Sequence, residues 1–355
     1  MQRRQQGLVL VFYTASLVAM VGMAALALDL GRGYLAKTRL QNALDAAALD
    51  AAKTLFDTGV TADAQDAATA SLASNGFGSV TPTFTFTPAG SNPKYVHLQV
   101  SGYSVTTLLA GAIGVDSMSM DIEAKAGPQP QGGEICGAPI GICGDPLSTD
   151  KDCTDGSCWG ISGQLVLKGE QSGPGFYGLL KIGAGAAGIN AALSGEKPLC
   201  TKALEIETAQ GGFIGSNNDA LNSRFGTANG LYDNAAKYPP DVVTDPPSDP
   251  MAYADYETRL ANKATWDYPN GSARKRTFAV PIIACVGVGA SKPVPVLGNA
   301  CFFMTRDVPD SGTEMGTVYG QLVDKCLSEG GTPGGAGAGS TGAVRIVLFQ
   351  AGAQS

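Results

Sequence analysis

The stretch from residue 8 to residue 28, LVLVFYTASLVAMVGMAALAL, carries no charge and follows Arg3 and Arg4. Wound as an α-helix at about 1.5 Å per residue, it is about 30 Å long, the thickness of a bilayer core. A secretory signal peptide has a shorter apolar run, of about 7–15 residues. The stretch therefore predicts a membrane anchor. Its anchor residues include Leu8, Phe12, Leu17, Val21 and Leu28.

The helical pattern continues past the apolar run, over residues 29–56. Apolar residues recur there at helical spacing, and charged residues fall on the opposite side. One long helix is therefore predicted, passing from the membrane into water. Its apolar stripe is expected to pack on the protein's own core, with neighbouring helices as the alternative, because alanines allow close helix approach. The predicted stripe consists of Leu30, Tyr34, Gln41, Leu44, Ala48, Ala51 and Leu55, opposite Arg32, Arg39, Asp50 and Lys53.

Composition limits the classes of partner. The chain has 355 residues, of which 44% are hydrophobic and 15% charged, and its net charge at pH 7 is −7. Such a chain can bury a sizeable core, and it lacks the basic excess with which proteins bind nucleic acid. We therefore expect no nucleic-acid partner.

The cysteines all follow residue 135, and they are even in number. No C-x-x-C pair occurs and the single histidine is His97, so disulfide bonds are favoured over free thiols and over a zinc site. Cys136–Cys143 and Cys153–Cys158 are local candidate pairs, although eight cysteines allow about 105 pairings. Disulfides need an oxidising compartment, which places this part of the chain outside the cytoplasm. The candidates are Cys136, Cys143, Cys153, Cys158, Cys200, Cys285, Cys301 and Cys326.

Three regions are predicted along the chain. Residues 1–56 form the anchor and amphipathic helix. Residues 57–127 form a pilin-like α+β head, since a short helical pattern over 57–80 precedes the alternating strands TFTFT, YVHLQVS and SMSMDIEAKA. Residues 128–355 form a Gly/Pro-rich, cysteine-containing, β-rich domain. The cluster PQPQGG at residues 128–133 is predicted to break the chain between the last two regions.

Two stretches of the third region are expected at the surface. YPPDVVTDPPSDP, residues 238–250, is rich in proline and aspartate and predicts an extended exposed loop. Arg274, Lys275 and Arg276 precede the strand TFAVPIIA, where charges usually guard a strand edge against pairing.

One motif suggests an enzyme. LLKIGAGAAGIN, residues 179–190, holds Gly183, Gly185 and Gly188 between a strand-like and a helix-like stretch, the order of a dinucleotide-binding turn. The helical stretch is short and no repeated βα pattern surrounds it, so a tight structural turn is favoured. His97 has no evident catalytic partner, and H-E-x-x-H and G-x-S-x-G are absent from the sequence. We therefore predict no enzyme activity and no cofactor.

An acidic segment, DPLSTDKDCTDGSC, is the candidate for a metal. A calcium loop places acidic residues at D-x-D-x-D-G spacing. Asp150, Asp152 and Asp155 are one residue out of that register. An acidic surface loop is favoured, and no metal is predicted.

The N-terminal segment, residues 3–52, resembles the start of TadG-like proteins of the Tad (tight adherence, Flp-type) pilus apparatus. Weaker similarity extends to stretches such as GPGFYGLL and LNSRF. The resemblance implies a bacterial protein, anchored in the inner membrane and accessory to pilus assembly. It implies as partners the Tad pilus subunits or assembly machinery, with self-association through the helix as a further possibility. The family-motif and helix-packing positions are Asp29, Gly31, Arg32, Tyr34, Leu40, Gln41, Leu44 and Ala48.

The predicted fold class is α+β: a long transmembrane and amphipathic helix, a pilin-like head, then a β-rich disulfide-bonded domain. The predicted protein is a non-enzymatic accessory or minor pilin-like component of Tad pilus assembly. It crosses the inner membrane once with its N-terminus cytoplasmic and its bulk periplasmic, or surface-exposed if incorporated in a pilus. The alternative is a soluble secreted or surface adhesin-like module, released after Ala27 at Ala25-Leu26-Ala27. Type IV pilins are cut after a Gly with Glu five residues later; after Gly7 that position is Phe12, which argues against such processing.

Overall fold

A computed structural model describes residues 3–89, 94–132, 135–150, 157–167, 177–182, 185–202, 205–208, 215–244, 250–284, 293–328, 332–333 and 343–349. Two compact units are present. The first comprises residues 1–54, 61–127 and 348–355, and the second comprises residues 55–60 and 128–347. The predicted fold class is confirmed, because a long apolar helix precedes a β-rich region of mixed α+β content that contains disulfide bonds.

The first unit is built on one helix, α1 (Arg3–Thr58). No proline occurs in this stretch, so none of its backbone N–H groups is lost. The helix ends at Gly59, whose φ of +72° suits glycine and turns the chain. The elements that follow are α2 (Thr61–Ser74), β1 (Thr83–Thr87), β2 (Tyr95–Thr106), a 3-10 helix (Ala110–Ile113) and β3 (Ser117–Gly132).

The three strands of this unit form an antiparallel sheet in the order β1-β2-β3. Alternate residues of β2 are buried, as the alternating sequence predicts. Each buried residue pairs across the sheet with a buried residue of β3, so one face of the sheet is apolar. The pairs are Val96 with Ala126, Leu98 with Ala124, and Val100 with Ile122.

The PQPQGG cluster begins where the two compact units divide, and its residues 128–132 lie within a strand. β3 continues through it as far as Gly132, and the compact units divide inside this strand, after Gly127. The strand can pass through the two prolines because the φ of proline, near −65°, is compatible with extended backbone where no ladder hydrogen bond is needed.

The remaining elements follow β3 in the chain. Their strands are β4 (Ile135–Gly137), β5 (Ile140–Gly144), β6 (Gln164–Leu167), β7 (Tyr177–Lys181), β8 (Leu199–Thr201), β9 (Glu205–Thr208), β10 (Thr277–Ala284), β11 (Pro293–Met304), β12 (Val318–Val323), β13 (Cys326–Leu327), β14 (Thr332–Pro333) and β15 (Ala343–Phe349). Their helices are α3 (Ala186–Leu193), α4 (Ser216–Asn222) and α5 (Tyr253–Leu260), with 3-10 turns at Ser223–Phe225, Gly230–Tyr232 and Lys263–Thr265.

The main sheet of the second unit closes on itself. β10, β5, β7, β9 and β11 pair in that order, and β11 pairs back with β10. β12 and β6 extend the sheet from β11, and the β5–β10 pair is parallel. β10 is buried from Thr277 to Ile283, which explains its unbroken apolar sequence.

Disulfide bonding is confirmed, but one predicted pair is wrong. Cys136 on β4 bonds to Cys200 on β8, directly opposite it in the pairing, and not to Cys143. Cys301 on β11 bonds to Cys326 on β13. Cys143 and Cys158 are also disulfide-bonded. Cys153 and Cys285 lie outside the described residues, and with them the predicted Cys153–Cys158 pair.

Two surface expectations for the second unit are wrong where the structure describes them, while residues 245–249 of the proline-rich stretch lie outside the described residues. Arg276 is fully buried and Arg274 nearly so. In the stretch expected as an exposed loop, Asp241, Val242 and Val243 are buried in the core. Both stretches find partners inside the fold: Arg274 Nη2 donates to Glu257 Oε2 at 2.9 Å, and the Asp241 carboxylate accepts the backbone N–H of Arg276 at 2.8 Å.

The glycine motif at residues 179–190 spans the end of β7 and the start of α3. The strand ends at Lys181 and the helix begins at Ala186, with Gly185 as its extended N-cap residue. α3 is 8 residues long. Gly183 lies outside the described residues.

Candidate functional site

The apolar half of α1 is exposed along its length. From Val9 to Leu28 no side chain is buried by the rest of the protein, including those of Phe12, Leu17 and Val21. Within this stretch the Thr14 hydroxyl donates to the carbonyl of Leu10 at 3.0 Å. α1 is long and apolar enough to cross a membrane, and it is the one such helix among the described residues. The side chain of Leu8 lies outside the description.

Asp29, the first charged residue after the apolar run, is buried. Its carboxylate accepts three backbone N–H bonds from the segment between β2 and β3. The donors are Leu108 at 2.7 Å, Leu109 at 3.0 Å and Ala110 at 2.7 Å. Ala110 begins the 3-10 helix, so the carboxylate satisfies N–H groups that the helix itself leaves free. Asp29 therefore fastens this segment to the end of the membrane-length run.

One turn further along α1, the backbone approaches the sheet closely. A side chain at Gly33 would place its Cβ 2.7 Å from the Cε atom of Met118 on β3. The amide of Gln41 then donates to the carboxylate of Asp45 at 2.8 Å and to the backbone carbonyl of Glu123 on β3 at 3.0 Å. These contacts set the face of α1 that lies against β3.

The buried face of α1 differs from the predicted stripe in its first half. Leu30 is 55% exposed and Tyr34 is 74% exposed, whereas Asp29 and Gly33 are buried. The prediction assigned apolar residues to the buried face, but the buried positions in this half are a carboxylate and a glycine. From residue 40 onward the expected packing on the protein's own core is observed. The buried residues there are Leu40, Ala43, Leu44, Ala47, Ala48, Ala51, Ala52 and Leu55.

The family-motif positions thus divide into two groups. Asp29, Leu40, Leu44 and Ala48 are buried and hold the helix in the fold, and Gln41 is half-buried beside them. The others are exposed, and a side chain at Gly31 would meet nothing within 4 Å. The exposed motif positions are Gly31, Arg32 and Tyr34.

Two kinds of residue in the site were not predicted from the sequence. The first are the three backbone donors to Asp29, which lie about eighty positions away in a stretch that resembles an ordinary short helix. The second is Met118, which fills the space over Gly33. The available signal was Asp29 itself, because a carboxylate at the end of an apolar run needs nearby donors.

The geometry gives the residues considered for catalysis or metal binding no evident chemical role. His97 Nε2 lies 3.1 Å from Glu123 Oε2 on a half-exposed strand surface. No group of His, Cys, Asp or Glu in the described part of the chain is arranged to hold a metal ion. Asp152 and Asp155 of the acidic segment lie outside that part.

The fold and the site define a class: an α+β protein whose head is fastened to the end of an exposed, membrane-length helix. Residues 7–54 match the family described as "Putative Flp pilus-assembly TadE/G-like". The match confirms the resemblance to TadG-like Tad pilus proteins, and it covers the apolar run, Asp29 and most of the buried face. With the exposed helix it supports a membrane-anchored, pilus-related protein. Comparisons with curated proteins and with solved structures found no match.

Proposed function

We propose that this protein is a non-enzymatic, pilin-like accessory or minor subunit of a Tad-type pilus machine. It crosses the inner membrane once, with its N-terminus in the cytoplasm and both folded units in the periplasm. One observation carries the proposal: α1 passes without a break from an exposed apolar run into a buried face, and Asp29 marks the transition.

The disulfides support the orientation. Cys136–Cys200 and Cys301–Cys326 join different strands of the second unit and need an oxidising compartment to form. In a bacterium that compartment is the periplasm. Trypsin added to intact spheroplasts should therefore degrade both units, whereas an N-terminal cytoplasmic tag should survive. Survival of the units with loss of the tag would reverse the orientation.

A second measurement separates the anchored protein from the secreted alternative. The mature N-terminus should lie before residue 9, and the protein should stay in the pellet after alkaline carbonate extraction. A mature chain beginning at Leu28, found in the soluble fraction, would establish release after Ala27 and remove the anchor.

The partner surface we propose is the exposed side of α1 just beyond the membrane. Gly31, Tyr34 and Leu35 are exposed there, whereas Leu40 and Leu44 are occupied by the protein's own core. An apolar surface of this kind suits the helix of a pilus subunit, of an assembly protein or of a second copy.

Photocrosslinking in cells tests this surface. A photoreactive phenylalanine analogue at Tyr34 should form an adduct with a pilus subunit, an assembly component or a second copy. The control carries the analogue at Thr85, which is exposed on β1. If Tyr34 yields no adduct beyond those of Thr85 in cells that make pili, this surface does not bind the machine.

A further inference from the structure

The segment between β2 and β3, residues 107–116, presents apolar side chains outward. Leu108 is 64% exposed, Leu109 is 41% exposed and Val115 is 46% exposed. No charged residue occurs from Thr107 to Val115. We call this segment the clamped loop, because its backbone is held by Asp29.

The clamp sets the position of the loop along α1. Leu108 N lies 2.7 Å from the carboxylate of Asp29, so the loop sits beside the last residues of the apolar run. Leu28 and Leu30, which flank Asp29, are also exposed. The clamp therefore holds the exposed apolar side chains of the loop beside the end of the apolar run of α1.

Backbone N–H groups of the loop are hydrogen-bonded within the protein, as a lipid environment requires. Asp29 takes the N–H groups of Leu108, Leu109 and Ala110, as described above. The N–H of Val115 donates to the carbonyl of Ala110 at 3.1 Å, and that of Gly114 to the carbonyl of Gly111 at 3.1 Å. Thr107 N–H closes the loop on the carbonyl of Asp116 at 3.1 Å, and the Thr107 hydroxyl donates to the carbonyl of Val115. A lipid-facing segment needs this internal satisfaction of its polar groups.

We propose that the clamped loop is a second membrane contact: it inserts Leu108, Leu109 and Val115 into the interfacial layer of the leaflet that α1 leaves at Leu28. The occupant of this apolar surface is lipid, because Asp29 holds the loop at the end of the anchor. Apolar side chains of interfacial segments typically lie about 5–10 Å deep in the boundary between headgroups and acyl chains. The head is thus held at two points, and its tilt relative to the bilayer is restricted. The proposal rests on α1 spanning the membrane, and the experiment tests the two separately.

The test uses tryptophan as a depth probe in the full chain, reconstituted in phosphatidylcholine vesicles with lipids brominated near the headgroup or near the chain end. Trp159 and Trp266 give the background fluorescence of the parent, which is subtracted. Leu108→Trp reports the loop and Leu17→Trp reports the anchor. Thr85→Trp is the far control, because Thr85 pairs with His97, and β2 runs roughly 30 Å from there to Thr106 at about 3.3 Å per residue.

Shallow bromines should quench the added fluorescence of Leu108→Trp by about twofold, and more than deep bromines do. Leu17→Trp should respond most to deep bromines, and Thr85→Trp to neither. Val115→Trp repeats the loop measurement should Leu108→Trp fold poorly. If Leu17→Trp is quenched and both loop variants behave as Thr85→Trp does, the loop faces water or protein and the proposal is wrong while the anchor stands. If Leu17→Trp is not quenched, both are overturned.

Discussion

Replacing Arg276 with methionine should destabilise the second unit strongly. The guanidinium is fully buried and donates to three backbone carbonyls: Met304 from Nε at 3.0 Å, Thr305 from Nη2 at 2.9 Å and Val243 from Nη1 at 3.2 Å. It also lies between aromatic rings, 4.7 Å from the centroid of Phe225 and 4.8 Å from that of Phe303. Methionine keeps much of the apolar stem and removes every donor.

The magnitude follows from the groups that are left behind. Each buried carbonyl that loses its donor costs about 1–3 kcal/mol. Loss of one partner from a buried charged network typically costs about 3–5 kcal/mol. The Thr305 carbonyl keeps the Met251 N–H as a donor at 3.2 Å, so the cost falls mainly on the carbonyls of Met304 and Val243. We expect a loss of about 4 kcal/mol, a large share of the roughly 5–15 kcal/mol of a typical domain. With a slope of about 2 kcal/mol per M urea, the unfolding midpoint should fall by about 2 M.

The assay is urea unfolding of the full-length protein in detergent, followed by tryptophan fluorescence. Trp159 and Trp266 both lie in the second unit, so the signal reports that unit alone. The control is Lys181→Met, which removes an exposed ion pair with Glu207 at 3.3 Å and should cost less than about 1 kcal/mol. Arg276→Lys should fall between the two, because one ammonium cannot serve three carbonyls in the fork geometry of arginine. A midpoint for Arg276→Met no lower than that of Lys181→Met would refute the argument.

Three further predictions concern other buried groups. Burial raises the pKa of Asp241 to about 6 from its usual 3.8, so the folded state binds the proton more tightly and the second unit should lose stability as pH rises from about 4 to 6. The loss should amount to about 3 kcal/mol in urea titrations, and Asp241→Asn should abolish this part of the pH dependence; an unchanged slope in Asp241→Asn would contradict the assignment. Asp29→Ala should speed hydrogen exchange at the amides of residues 108–110, measured by mass spectrometry, whereas Asp50→Ala on the exposed side of α1 should not; equal protection in both variants would show that the clamp is not needed. Leu44→Ala should lower the stability of the first unit by about 2–5 kcal/mol, because the residue is fully buried, and a circular-dichroism melt matching that of the parent would contradict this.

Much of the first unit could be predicted from the sequence. The length of the apolar run and the absence of proline define α1, and the alternation around Val96 and Leu98 defines β2. Leu44, Ala48, Ala51 and Leu55 follow the helical period and are buried as expected. These signals are local, so a single stretch of sequence contains them.

The phase of α1 near the membrane could not be predicted by apolarity. The buried positions include Asp29 and Gly33, whereas Leu30 and Tyr34 are exposed. A buried carboxylate is stable there only because Leu108 and its neighbours supply donors, and Leu108 lies 79 positions later.

The burial of Arg276 could not be predicted for the same reason: its partners lie far from it in the sequence. A run of three basic residues is usually solvated, and nothing near it in the chain offers a counter-charge. Its acceptors are the carbonyls of Met304 and Val243, 28 and 33 positions away. Backbone carbonyls are present at every residue, so no sequence pattern marks which ones will serve a buried guanidinium.

The clamp at Asp29 has a consequence for how such chains tolerate insertions and deletions. Asp29 and Leu40 are both held by the fold, so one residue added between them would rotate the later positions by about 100° and take the buried face out of phase. Before Asp29 nothing in the described chain fixes the rotation of the helix. The length of the anchor is therefore free to follow the thickness of a host membrane, while the spacing after the clamp must be kept.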